Sequence, residues 1–127
     1  MENFPLKEET YKLIGACMQV QNTLGYGFLE IIYKDAMEVE FINNVIPYKR
    51  EQKLEINYKG KILPHQFYTD FTVDEKIIVE VKSCEKGITS EHIAQTLNYL
   101  RVSGFSVALI VNFGKVRLEY KRLVFKN

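Results

Sequence analysis

Apolar residues Leu13, Ile14, Cys17, Met18, Val20 and Leu24 recur at helical spacing between Leu6 and Leu24, and Gly25 supplies a stop. That pattern predicts a first helix. Gly25-Tyr26-Gly27 interrupts it, and a second helix is expected from Phe28 to about Phe41, with Ile32, Ala36, Met37 and Val39 on or near its apolar stripe. Asn43-Asn44 ends that stretch, and from Val45 the period shortens toward two. Leu54, Ile56 and Tyr58 alternate with Glu55 and Asn57, and Lys59-Gly60 turns the chain into Lys61-Ile62-Leu63, which reads as a hairpin. Strands from Gln66 to Val73 and from Lys76 to Lys82 flank the turn dipeptide Asp74-Glu75 and are expected to pair antiparallel. Thr89-Ser90-Glu91 resembles a helix N-cap, and Ile93, Ala94, Leu97 and Leu100 carry a third helix toward Gly104. Phe105 to Val111 has the continuous apolar run of a strand buried on both faces. Asn112-Phe113-Gly114 then turns into a last strand at about Val116 to Tyr120.

The 127 residues suit one domain over 1–127, and 46% hydrophobic against 26% charged residues excludes a disordered or low-complexity chain. Cys17 and Cys84 have no metal-type spacing and are expected to be buried thiols. The polar start of the chain is unlike a secretory signal, and no apolar run approaches a bilayer-spanning length, so a cytoplasmic protein and no membrane partner are expected. The formal net charge of +1 gives no global basic field for nucleic acid. It averages unlike halves. Residues 1–64 carry eight bases and nine acids, whereas residues 65–127 carry nine bases and seven acids, five of those bases in the last thirteen residues. That basic C-terminal segment, with Lys115, Arg117, Lys121, Arg122 and Lys126, suits either a charge-protected edge strand or a rim for phosphate.

Alternation in Ile77-Ile78-Val79-Glu80-Val81-Lys82 places Glu80 and Lys82 side by side on one face of a very apolar strand. A buried charge is costly unless it is paired or metal-bound. Pairing about the Asp74-Glu75 turn brings Asp70 opposite Glu80 to within one residue. Two carboxylates so close repel each other unless a cation lies between them, and an all-oxygen site beside a lysine suits Mg²⁺ or Mn²⁺ rather than Zn²⁺. Such a cation can polarise a phosphate oxygen and acidify a water while the lysine orients it. Glu30, at the start of the second helix, is a third acid suited either to the helix dipole or to the same site. Gln95 and Tyr99, four apart on the third helix, share a face suited to a phosphate or a base. His65 and His92 have no partner pattern and are expected at the surface or in supporting roles.

The stretch Gly27-Phe28-Leu29-Glu30-Ile31-Ile32-Tyr33 resembles the motif that names the GxxExxY proteins. Val79-Glu80-Val81-Lys82 with upstream Asp70 resembles the PD-(D/E)xK nuclease signature, and Gln95 with Tyr99 is similar to the QxxxY element of RecB-type exonucleases. Ile14-Gly15, Val111-Asn112-Phe113-Gly114 and Lys121-Arg122-Leu123-Val124 extend the likeness over nearly the whole chain. It departs at Tyr68, where members often carry a basic residue, and at Ile93, where they often carry an acid. The resemblance implies an α/β, restriction-endonuclease-like core, with a central mixed sheet flanked by helices in the order ααβββ(β)αββ. It implies a Mg²⁺-dependent nuclease, with Mn²⁺ an alternative ion, acting on DNA before RNA. Asp70, Glu80, the Val81 carbonyl and Glu30 would serve the metal, Lys82 catalysis, and Gln95, Tyr99 and Tyr33 the substrate. The alternatives are a non-catalytic nucleic-acid-binding or adaptor module on the same scaffold and a structural homodimer with a relic site.

Overall fold

The structure is a computed structural model that describes residues 5–126. Two helices open the chain, α1 (Lys7–Leu24) and α2 (Glu30–Asn43), followed by seven strands: β1 (Tyr48–Arg50), β2 (Lys53–Leu54), β3 (Asn57–Tyr58), β4 (Lys61–Ile62), β5 (Phe67–Tyr68), β6 (Phe71–Val73) and β7 (Ile77–Lys82). Helix α3 (Ser90–Ser103) leads to β8 (Val107–Asn112) and β9 (Glu119–Val124). The main sheet runs β1-β6-β7-β8-β9, with β7 and β8 parallel and the other neighbours antiparallel. The expected mixed sheet flanked by helices is therefore present.

β7 and β8 lie inside the sheet with neighbours on either side, which is why β8 is buried throughout and β7 as far as Lys82. Ile77, Val79 and Val81 face α1 and α2, packing with Leu13, Cys17, Tyr33, Met37 and Phe41. Ile78, Ala108 and Ile110 face the other way, against Leu100 of α3 and Leu123 of β9. β7, α3 and β8 thus form a strand–helix–strand crossover, the usual way to join parallel neighbours. The α3 N-cap is built as expected: the Thr89 side chain accepts from the His92 amide, and His92 Nδ1 accepts from the Thr89 amide.

Five expectations change. The buried stripe of α2 is Tyr33, Met37 and Phe41 rather than Ile32 and Val39, which are exposed. Residues four apart on one face bury the larger aromatic rings and leave the β-branched residues to the outer flank. The strand expected over 66–73 is broken at Thr69-Asp70, with Phe67–Tyr68 paired to β2 and Phe71–Val73 in the main sheet. β1 fills the far edge of that sheet, a strand the pattern from Val45 did not resolve. The last strand begins three residues late, at Glu119, because Gln21 Nε2 donates to the carbonyls of Lys115 (2.7 Å) and Val116 (3.2 Å) and holds that segment out of the ladder. Cys17 is buried, and burial pushes its thiol up to about 12, whereas Cys84 is only half-buried.

Candidate active site

The β6–β7 hairpin carries the register that matters. Val73 pairs with Ile77 and Phe71 with Val79, so the same register continued one step sets Asp70 opposite Glu80. The intervening turn holds Asp74 and Glu75 at φ 55° each, and the Lys76 amide donates to the Val73 carbonyl at 3.0 Å. Side chain and backbone then interlock across the pair. The Asp70 amide donates to Glu80 Oε2 at 2.9 Å, and the Val81 amide donates to Asp70 Oδ2 at 2.7 Å.

Glu80 is only 6% exposed. Its burial, and then the neighbouring Asp70 carboxylate, push its pKa up to about 7, against the pull of the Asp70 amide, Lys82 and Lys34. Lys82 follows on the same face of β7, half-buried, so the ExK pair lies as the strand alternation requires. Tyr99 reaches this pair from α3. Its phenol is raised by burial first and then by the charges of Glu80 and Asp70, with Gln95 hydrogen-bonding it in the opposite sense. The Tyr99 ring stacks on Phe67 of β5, centroids 4.2 Å apart and planes 11° apart. Four elements, β5, β6, β7 and α3, therefore converge on Asp70 and Glu80.

A further cation sits in this group. Lys34 of α2, its side chain 9% exposed, places Nζ 3.0 Å from Asp70 Oδ1 and 3.1 Å from Glu51 Oε1. Burial alone would lower the Lys34 pKa, but the bonds to Asp70 and Glu51 outweigh it and hold the ammonium above its ordinary value. Sequence reasoning passed over both Lys34 and Glu51. The signal for Lys34 was a lysine three and seven residues before Met37 and Phe41, hence on the buried stripe. Glu51 arrives through backbone geometry: it takes φ 53°, kinks the chain between β1 and β2, and donates its amide to the Asp70 carbonyl at 2.8 Å.

Two residues of the expected site lie elsewhere. Tyr33, expected at the substrate, is fully buried: it stacks on Phe113 at 4.4 Å, donates its hydroxyl to the Gly25 carbonyl (2.8 Å) and accepts from the Phe28 amide (3.2 Å). It closes the Gly25–Phe28 loop, in which Gly25 and Gly27 adopt φ 74° and 101°, a conformation that glycine permits. Glu30 is exposed and lines a cleft of about 690 Å³ with Tyr26, Phe28, Leu29, Ser83, Glu85 and Gly114. Ser83, one residue past Lys82, donates to the Phe28 carbonyl at 2.6 Å and ties this cleft to the end of β7. Among the described residues no three His, Cys, Asp or Glu side chains are grouped closely enough to hold a metal, so Glu30 is not brought to Asp70 and Glu80. A carboxylate pair, rather than a trio, defines the centre. That pair still fits a hard divalent cation, since Mg²⁺ usually takes one or two carboxylates and keeps several waters.

A mixed sheet between helical layers, with an Asp and an ExK motif opposed on its antiparallel hairpin, is the architecture of a nuclease-type core. A family model described as the PD-(D/E)XK nuclease superfamily matches residues 7–123, and the chain belongs to that superfamily. Its nucleases typically use divalent metals. The fold is also similar to the crystal structure of SSO0001, at TM-score 0.59 and 19% identity over 96% of this chain. The chain spans 61% of the length of that protein. No curated protein matches. No helix among the described residues is long and apolar enough to cross a membrane.

Proposed function

We propose that the protein hydrolyses phosphodiester bonds of nucleic acid, DNA before RNA, as a member of the GxxExxY group within its superfamily. The observation that carries this reading is the opposed Asp70–Glu80 pair, interlocked through the Asp70 and Val81 amides and flanked by Lys82. Asp70, Glu80 and the Val81 carbonyl would hold Mg²⁺, or Mn²⁺ in its place. When bound, that ion neutralises charge on the phosphate and acidifies the attacking water.

The remaining work falls to the chain. Burial and the neighbouring Asp70 let Glu80 retain a proton up to about pH 7, and a cation at the pair favours its ionised form. Lys82 offsets charge that develops on the phosphate and orients the water. Gln95 and Tyr99, on the α3 side, position the nucleic acid, and the Phe67 ring fixes Tyr99 against sideways motion. Glu30 serves the adjoining cleft, where it meets substrate or water beside Ser83. Glu80→Ala and Lys82→Ala are expected to abolish Mn²⁺-dependent cleavage of a panel of single- and double-stranded DNA and RNA. Unchanged cleavage in both variants contradicts the assignment.

A non-catalytic nucleic-acid-binding module has one observation in its favour: both Asp70 oxygens already have protein donors, Lys34 and the Val81 amide, so the charge network closes by itself. Calorimetry with Mg²⁺ and Mn²⁺ separates the two readings. A catalytic site binds metal and loses it in Asp70→Ala, whereas a closed network binds none.

A further inference from the structure

We infer that Lys34 is a positioning residue whose ammonium fills a cation position bridged by Asp70 and Glu51, so that the site admits one divalent cation and would admit two without it. The inference deepens the proposed function and rests on that reading of Asp70 and Glu80.

Lys34 Nζ lies 3.0 Å from Asp70 Oδ1 and 3.1 Å from Glu51 Oε1, so a single positive centre joins two carboxylates. Asp70 is common to both halves of the site. Its Oδ1 faces Lys34, its Oδ2 accepts from the Val81 amide, and its own amide donates to Glu80. One carboxylate shared between two positive centres is the arrangement by which paired divalent ions are held about 3.5–4 Å apart in two-metal sites. Here one of the two centres is covalently tethered. An ammonium cannot dissociate from its helix, and its charge repels a second dication from the same oxygens.

The surroundings permit replacement by a metal. A divalent ion binds oxygen at about 2.0–2.6 Å, closer than the ammonium, so the carboxylates must draw in by several tenths of an ångström or more. Glu51 can do so, because its side chain is 58% exposed and sits on the kinked segment between β1 and β2. The Lys34 side chain is too buried to act as a general phosphate contact, and both of its acceptors are protein carboxylates. Its effect on the reaction therefore passes through Asp70.

The test counts Mn²⁺ per folded chain, by calorimetry and by paramagnetic resonance of the unbound ion, at pH 8 and without nucleic acid. Wild type is expected to bind one ion and Lys34→Met two, while Lys34→Arg, which keeps the cation, and the double variant Lys34→Met/Glu51→Gln, which removes a ligand, return to one. Lys34→Gln, whose amide can still donate to Asp70, serves if the methionine variant fails to fold, and is also expected to bind two. A count of zero in wild type and one in Lys34→Met sustains the filled position while overturning the metal reading of Asp70 and Glu80. Equal counts in wild type and in folded Lys34→Met or Lys34→Gln, or two ions in wild type, overturn the inference.

Discussion

Glu80 is the residue at which stability and site chemistry oppose each other. Its pKa of about 7 in the fold exceeds the ordinary 4.5, so the folded chain holds this proton more tightly than the unfolded one. A raised carboxyl contributes its stability fully below the ordinary value and loses it as pH rises through about 7. A shift of this size corresponds to roughly 3 kcal/mol. Urea unfolding in the presence of a chelator should therefore show stability falling between pH 5 and 8, and Glu80→Gln should flatten that fall. An equally steep fall in the variant would assign the titration elsewhere. Gly114 is a second sensitive residue: a Cβ there would run into the backbone of Cys84. Such a contact forces the backbone apart, and Gly114→Ala is expected to cost upwards of about 2 kcal/mol in a thermal or urea melt. Tyr33→Phe, which leaves the Gly25 carbonyl and Phe28 amide without their partner, should cost about 1–2 kcal/mol and speed amide exchange in the loop they define.

At the scale of elements, the antiparallel hairpin was the most legible part of the chain. Alternation in β7 separated Ile77, Val79 and Val81 from Glu80 and Lys82, and the turn position fixed the opposing residue to within one step. The periodicity of α3 likewise placed Gln95 and Tyr99 on one face, and in the structure the Tyr99 phenol feels the charges of Glu80 and Asp70. What escaped depends on contacts distant in sequence. Lys34 is 36 residues from Asp70, and Glu51 meets it only because a left-handed residue bends the chain between β1 and β2. No period of two or 3.6 encodes such a kink. The break at Thr69-Asp70 has the same origin, since the Glu51 and Thr69 amides bond across it, to the Asp70 and Gln52 carbonyls. The stack of Phe67 on Tyr99 joins the small β2–β5 ribbon to α3, so Phe67→Ala is expected to weaken nucleic-acid binding, seen by fluorescence anisotropy with Ca²⁺ in place of Mg²⁺, and to leave the Mn²⁺ count unchanged. Loss of Mn²⁺ binding in that variant would make the ring a support for the carboxylates instead.

For the molecule as a whole, the fold class was implied by the family resemblance and agrees with the order of elements, and membership of the nuclease superfamily rests on a match over residues 7–123. The sheet brings its chemistry to one place: β7 supplies Glu80 and Lys82, the break before β6 supplies Asp70, and helices on opposite sides deliver Lys34 and Tyr99. The near-neutral overall charge is compatible with a phosphate substrate because several acids gather at this point, where a bound cation would cancel them. Glu30 and Tyr33 mark the limit of motif reasoning. Both belong to the Gly27–Tyr33 signature, yet one lines the cleft adjoining the carboxylate pair and the other is buried in the core. The central claim is that Asp70 and Glu80 hold a divalent cation. A crystal soaked in Mn²⁺ and measured at the manganese absorption edge tests it most directly: an anomalous peak ligated by both carboxylates is the predicted result, and a crystal with no peak there, or with manganese bound only elsewhere, would contradict the account.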